Sequence, residues 1–257
     1  MPTPPQAYGK ARPVQARNPA NTTIRVAYRP PGLGPAAPPW QSGSALPSLQ
    51  PEPAMPSTRI NLEQGSLAWH AWRKDGIGAS EAAAILHENP WKSRATLLAE
   101  KCGRIQAGFP NAAMAFGTAT EPAARDSYSA RTGIPMAPVC LQSTARPWQR
   151  ASLDGLSADG SRAVEIKCGE QALAVTAKLG RPPPYYVGQL QHILAVSGLD
   201  AIDFWCYLPG RPSVLVTVAR DEAYIGRMLL AEAAFWAEVV AFRAMQRPVH
   251  QAGQLRR

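Results

Sequence analysis

From position 139 the apolar residues drop from helical spacing towards alternation, and three short runs, 139–143, 151–156 and 163–168, read as strands. Asp159-Gly160 lies between the last two and carries the signature of a tight hairpin turn. A hairpin in mid-chain constrains everything around it. Side chains alternate along a strand, so Glu165 and Lys167 leave one face and Ile166 turns into the core. The hairpin lays the strand of Ser152-Leu153-Asp154-Gly155 alongside, which brings Asp154 within reach of Glu165.

The flanks are helical. Ser80 is the expected N-cap of an Ala-rich helix over 81–87, which Asn89-Pro90 stops. A second helix is expected over 95–102, closed by Gly103. A longer one spans 112–131, and Pro122 predicts a break near Thr120 or a fresh start there. Beyond the hairpin, a helix over 185–196 ends at Ser197-Gly198. Strands over 203–208 and 214–218 turn at Pro209-Gly210, and a long helix runs over 221–246. Helices, three strands, a helix, two strands and a helix describe an α/β (α+β) domain, a mixed sheet flanked by helices.

Residues 1–58 read as a basic tail and 59–250 as the folded domain. More than half of the 26 prolines precede Ser57, among few large apolar residues, too few to offset the entropy of ordering the chain. Lys10, Arg12, Arg17, Arg25 and Arg29 give this tail either a non-specific hold on DNA or no more than the role of a linker. The net charge of +9 favours a polyanionic partner, of which nucleic acid is the commonest. Cys102, Cys140, Cys168 and Cys206 form no CxxC pair, which argues against a zinc or disulfide framework. No apolar run approaches the roughly 18 residues of a membrane span, and the N-terminus lacks the apolar stretch of a signal peptide. A cytoplasmic protein is expected.

Two carboxylates held close repel each other, and a divalent cation removes that cost. Oxygen ligands favour magnesium or manganese. A lysine beside such a site supplies a compact positive charge for phosphate or for an activated water. Acid, acid and lysine on adjacent strands suit phosphodiester hydrolysis. Glu-x-Lys alone is also an ordinary exposed-strand pattern. The placed hairpin and Asp-Gly give it meaning.

The order of motifs resembles the PD-(D/E)xK nuclease superfamily and, more narrowly, the YqaJ viral recombinase family, which includes lambda exonuclease. The resemblance spans about residues 69–208. It rests on Trp69-His70-Ala71-Trp72-Arg73 with Gly78-Ala79-Ser80-Glu81, on Gly117-Thr118-Ala119-Thr120-Glu121, on Ser152-Leu153-Asp154-Gly155 with Glu165-Ile166-Lys167-Cys168, and on Tyr185-Tyr186-Val187-Gly188-Gln189-Leu190-Gln191-His192. It implies a restriction-endonuclease-like fold. It also implies that Asp154, Glu165 and the Ile166 carbonyl bind magnesium, with manganese as a substitute and two ions per site. Glu121, otherwise an ordinary helix acid, would add a carboxylate. Lys167 would orient the attacking water or stabilise phosphate charge, and Gln189 would help position that water. Arg73, Ser80 and Ser152 would hold a terminal 5′-phosphate, although Arg73 also reads as a surface arginine and Ser80 as a simple cap.

The implied activity is a magnesium-dependent 5′-3′ exonuclease acting on one strand of linear duplex DNA for phage-type recombination. The implied partners are double-stranded DNA ends, a single-strand annealing protein and further copies of the chain in a trimer. Two other readings stay open. One is another superfamily nuclease, an endonuclease or a CRISPR-associated enzyme, some of which carry an iron–sulfur cluster on four cysteines. The other is a non-catalytic DNA-end-binding accessory. Trp69, Trp72, Trp91 and Trp148 are candidates for stacking on bases, with at least half expected in the core. His87, His192 and Cys168 are assigned no chemistry, and Gln191 reads as structural.

Overall fold

The structure, a computed structural model, describes residues 24–28, 56–106, 108 and 111–246. The central hairpin forms as expected: β5 (Gln149–Ser157) and β6 (Ala163–Cys168) are antiparallel, and Gly160 takes a left-handed φ of 73° in the turn between them. β4 (Met136–Ser143) extends the antiparallel run on one side, and β2 (Ser57–Ile60) adds its outer edge. On the other side β7 (Ala201–Tyr207) pairs parallel to β6, and β8 (Val214–Ala219) closes back antiparallel. The two-residue β3 (Ile77–Gly78) pairs with β5 off this path.

Within the stretch expected to be a tail, β1 (Ile24–Tyr28) pairs parallel to β8. Its run of β-branched and aromatic residues suits a strand. The rest of that stretch up to position 55 lies outside the described residues, as do 247–250 of the expected domain.

The parallel β6–β7 pairing accounts for the segment after Cys168. Parallel neighbours need a crossover, and helices supply it here. The proline-bearing segment 169–184 contains α5 (Glu170–Leu179), which buries Ala172, Leu173 and Thr176. α6 (Pro184–Ser197) completes the crossover, starts on Pro184 and stops at Gly198, whose φ is 75°.

Helices cover both faces of the sheet. α4 (Ala112–Thr132) lays Ala124 and Tyr128 over Val164, Ile166, Trp205 and Leu215. On the opposite face α6 packs Leu190, Ile193 and Leu194 into the larger core with Leu153, Phe204 and Val216, backed by Ile225 and Met228 of α7 (Glu222–Met245). β5 and β6 are therefore buried on both faces, as central strands are.

Two expectations at helix ends are corrected. α4 does not break at Thr120; it runs through Pro122 for 21 residues. Pro122 and Thr118 both lie on the exposed side, where water can satisfy the carbonyl that proline leaves free, and alanines favour the helix on either side. Ser80 is not an N-cap. It sits inside the 3-10 turn Ala79–Glu81 that leads into α2 (Ala82–Ile85), and the cap is Gly78, whose N–H donates to Glu81 Oε2 at 2.8 Å. Before this turn lies α1 (Leu67–Lys74), capped by Ser66; after it comes α3 (Arg94–Lys101), capped by Ser93. Among the described residues no helix is long and apolar enough to cross a membrane.

Candidate active site

The paired strands part where the chemistry begins. The β5–β6 register covers Leu156↔Ala163 and Gly155↔Val164. Gly155 is required at that point, because a Cβ there would stand 2.7 Å from Val164 Cγ1 and 3.0 Å from Met136 Cβ. Beyond it, the Ile166 N–H donates to the Asp154 carboxylate, at 2.7 Å from Oδ2. Asp154 thus stands beside the stretch of β6 that carries Glu165 and Lys167.

Ile166 is buried under α4, so Glu165 and Lys167 face the other way, towards α6. Gln189 meets them there. Glu165 Oε1 accepts from Lys167 Nζ and from Gln189 Nε2, both at 2.6 Å, and Lys167 Nζ also reaches Gln189 Oε1 at 3.2 Å. Glu165 is 1 % exposed, and its second oxygen, Oε2, has no hydrogen-bond partner in the protein. Leaving a buried acceptor unsatisfied costs about 1–3 kcal/mol.

The electrostatics express the same crowding. Burial, then the Asp154 charge, pushes the Glu165 carboxyl up to about 8. Burial also raises Asp154, against the pull of Lys167, of the Ile166 N–H and of Arg125. Glu121 is raised by burial and then by Asp154, opposed by Arg125. Burial disfavours the charge on Lys167, but the Glu165 and Asp154 carboxylates outweigh it and hold the ammonium above its ordinary range. Two cations, Lys167 and Arg125, are therefore set among three acids.

A cleft of about 230 Å³ gathers the expected residues. Asp154, Glu165, Ile166, Lys167, Glu121 and Gln189 line one part of it, and Arg73, Ser80 and Ser152 another. Arg73 Nη2 donates to Ser80 Oγ at 2.9 Å and its guanidinium lies 4.6 Å over the Trp69 ring. Trp69 Nε1 donates to Ser152 Oγ at 2.8 Å. The guanidinium and two hydroxyls thus form a donor-rich corner next to the acids.

The donor set fits a hard divalent cation. Its oxygens come from Asp154 and Glu165, the orphaned Oε2 lies among them, and their mutual repulsion is what a cation would relieve. Among the described residues no three His, Cys, Asp or Glu side chains form a ready-made metal cage. Glu121 is engaged by Arg125, which also donates to the Asp154 carbonyl. Ile166 lines the same cleft. The same finding leaves the four cysteines without a cluster of their own among the described residues.

Several functional neighbours escape a reading of sequence alone. Arg125 stands one helical turn after Glu121, a spacing that signals the ion pair. Arg150 lines the cleft and donates to the Trp72 carbonyl. Lys101, 4 % exposed, donates to the carbonyls of Arg73 and Gly76 and pairs with Glu81 at 2.8 Å, so it fastens the segment that carries Arg73 and Ser80. No local signal points to it.

Other residues fall outside the chemistry. Gln191 bridges the Ala219 carbonyl and the Asp221 N–H. His192 is buried against Glu232. Burial lifts the Cys168 thiol to about 12, so it carries no thiolate near neutrality. Of the four tryptophans considered for stacking, Trp69 and Trp72 are half-buried in the cleft, Trp148 packs on a core cluster and Trp91 is exposed.

Comparison with known proteins adds four findings. A model of the YqaJ-like viral recombinase domain matches residues 68–200. An alkaline exonuclease from Laribacter hongkongensis is 30% identical, with a TM-score of 0.63 over 70% of this chain and 95% of that one; a second structure of it, in complex with dAMP, is 31% identical over the same shares. A phage-related exonuclease from Haemophilus somnus 129PT shares the fold at 12% identity, with a TM-score of 0.52 over 67% of this chain and 96% of that one. The uncharacterized protein YqaJ of Bacillus subtilis is 25% identical over 185 residues, which make up 70% of this chain and 58% of that relative, so the chain spans little more than half of its length.

Proposed function

Since the chain belongs to the family of YqaJ-like viral recombinase domains, we propose that it is a metal-dependent DNA exonuclease that shortens one strand of linear duplex DNA from its 5′ end. The observation that carries this reading is the adjacency, in one cleft, of the Asp154–Glu165–Lys167 group and the Arg73–Ser80–Ser152 corner. The first suits phosphodiester hydrolysis, and the second suits a terminal phosphate. An enzyme that grips the chain end beside its cutting site removes nucleotides from ends rather than cutting within a duplex.

Asp154, Glu165 and the Ile166 carbonyl would hold magnesium, or manganese in its place, with Glu121 as a further carboxylate. The ion, when bound, supplies an acidified water and neutralises charge on the phosphate. Lys167 stabilises the charge that grows on the phosphate oxygens, and its bond to Glu165 keeps it aimed into the cleft. Gln189 holds both partners and orients the attacking water. Arg73 and the two hydroxyls bind the 5′-phosphate, and Trp69 fixes both Arg73 and Ser152. The product is a 3′ single-stranded tail, the substrate of an annealing protein in recombination. Assembly as a trimer around DNA is part of the same proposal.

Digestion of end-labelled DNA tests it. Linear duplex bearing a 5′-phosphate should lose its 5′ label as mononucleotide in magnesium, the 5′-hydroxyl form should react more slowly, and closed circular duplex should persist. Cutting of the circle would replace this reading with an endonuclease. Intact DNA with both native protein and Asp154→Ala, alongside retained binding, would leave an end-binding accessory.

A further inference from the structure

We infer that Trp91 and Tyr185 form a stacking platform for an unpaired nucleobase, at the far end of an aromatic row that starts at Lys167 and a nucleotide or two from the scissile phosphate. This rests on the reading of the cleft as a DNA site and adds a contact to the base, where the cleft itself addresses phosphate.

Trp91 is 66 % exposed. A lone exposed apolar residue is ordinary; one held in place by a built loop is not. Three features define the loop between α2 and α3 that carries it. His87 adopts a left-handed φ of 61°, unusual for a residue with a side chain. Glu88 Oε2 accepts from the Tyr224 hydroxyl of α7. Asn89 Oδ1 accepts from the N–H groups of both Trp91 and Lys92, at 2.8 and 2.9 Å, which fixes the turn that presents the indole.

The indole is also continuous with the chemistry. Its ring meets Tyr185 edge-on at 4.7 Å, Tyr185 meets Tyr186 at 4.6 Å, and Lys167 Nζ stands 4.8 Å from the Tyr186 ring. The aromatic row thus ends at the lysine of the candidate site. A strand with its phosphate at Lys167 carries its neighbouring bases past this row. Every base has a π-face, so one indole gives grip without sequence preference, as an enzyme that removes nucleotides in succession needs. The net charge of +9 favours the polyanion that brings the base.

An abasic scan tests the platform. Linear duplexes carrying one abasic site, moved nucleotide by nucleotide inward from the 5′ end, are titrated with native protein, Trp91→Ala and Trp91→Phe, with a chelator present to prevent hydrolysis. Native protein should lose about 5- to 150-fold in affinity when the abasic site falls at one position. Trp91→Ala should be indifferent to the abasic site there, and Trp91→Phe should retain part of the effect. The same loss at the same position in Trp91→Ala as in native protein overturns the platform and leaves the nuclease reading intact. Native protein that binds none of the duplexes in chelator and cuts none of them in magnesium overturns both.

Discussion

Lys167 and Glu165, two positions apart on β6, are joined by a hydrogen bond of 2.6 Å, and Gln189 from the facing helix bonds to both. These bonds hold the Lys167 ammonium at a fixed point beside Glu165. Lys167→Ala should therefore lower the rate of hydrolysis about 100- to 1,000-fold, the effect of removing one donor aimed at developing charge, with little change in affinity for the DNA end. Lys167→Arg should not restore it, since the planar guanidinium cannot replace a compact ammonium between Glu165 and Gln189. Single-turnover rates and equilibrium binding to a labelled duplex measure the two quantities separately. A variant that cuts at the native rate would remove Lys167 from the mechanism.

Arg73 and Ser80 meet at 2.9 Å across the turn between α1 and α2. If they bind the terminal phosphate, Arg73→Ala should erase the preference for a 5′-phosphate over a 5′-hydroxyl. The expected loss is about 10- to 100-fold on the phosphorylated substrate, the worth of one charge-assisted hydrogen bond, and near zero on the hydroxyl form. Equal losses on both substrates would place Arg73 in general backbone binding.

Much of this site is legible in the sequence because its parts are local. Asp159-Gly160 announces the hairpin, and alternation puts Glu165 and Lys167 on one face. The mixed sheet with flanking helices and the family are also readable, the former from periodicity and the latter from motifs in series. What stays hidden depends on distant partners. α5 hides behind the proline run 182–184, and only the parallel pairing of β6 with β7 shows why a crossover must lie there. β1 is masked by its proline-rich surroundings. Its role exists only as a pairing with β8, 190 residues away. Arg125 is visible as a helical neighbour of Glu121, yet its bond to the Asp154 carbonyl is not. Conversely, Ser80 satisfies every local rule for an N-cap, and the residue that fills the position is Gly78 because Glu81 reaches back to it.

Lys101 fastens the segment that carries Arg73 and Ser80. Its ammonium is nearly inaccessible and satisfies two carbonyls and the Glu81 carboxylate. Burial pulls its pKa down more than Glu81 raises it, so the charge is held at a cost. Lys101→Met keeps the aliphatic stem but removes the cation from Glu81, which keeps only the Gly78 N–H, and the donor from the carbonyls of Arg73 and Gly76. It should destabilise the fold by about 3–5 kcal/mol, the usual cost of removing one partner from a buried ion pair. Denaturant midpoints for this variant and for Lys92→Met, whose ammonium is more exposed, give the contrast; equal small shifts would contradict the hub.

His192 and Glu232 predict the pH dependence of stability. Both are fully buried. His192 Nδ1 lies 2.7 Å from Glu232 Oε1, and Nε2 lies 3.0 Å from the Arg150 carbonyl. Both neighbours are acceptors, so only the doubly protonated imidazole satisfies both. Burial alone lowers its pKa, but Glu232, with the Arg150 carbonyl, outweighs burial and raises it. A raised folded pKa means that the folded state holds a proton the unfolded chain releases near pH 6.5. The resulting stability is fully present below about pH 6.5 and is lost as pH climbs through the raised value. Glu165, pushed up to about 8, shifts stability in the same direction and is common to native protein and to any variant at position 192. The difference between native and His192→Gln therefore isolates the histidine. Below about pH 6.5 the variant should be less stable by about 3–5 kcal/mol, the cost of leaving Glu232 buried without its cation, and the gap should narrow as pH rises. Denaturant midpoints from below about pH 6.5 into the alkaline range measure it, and a gap independent of pH would mean that His192 is neutral in the folded protein.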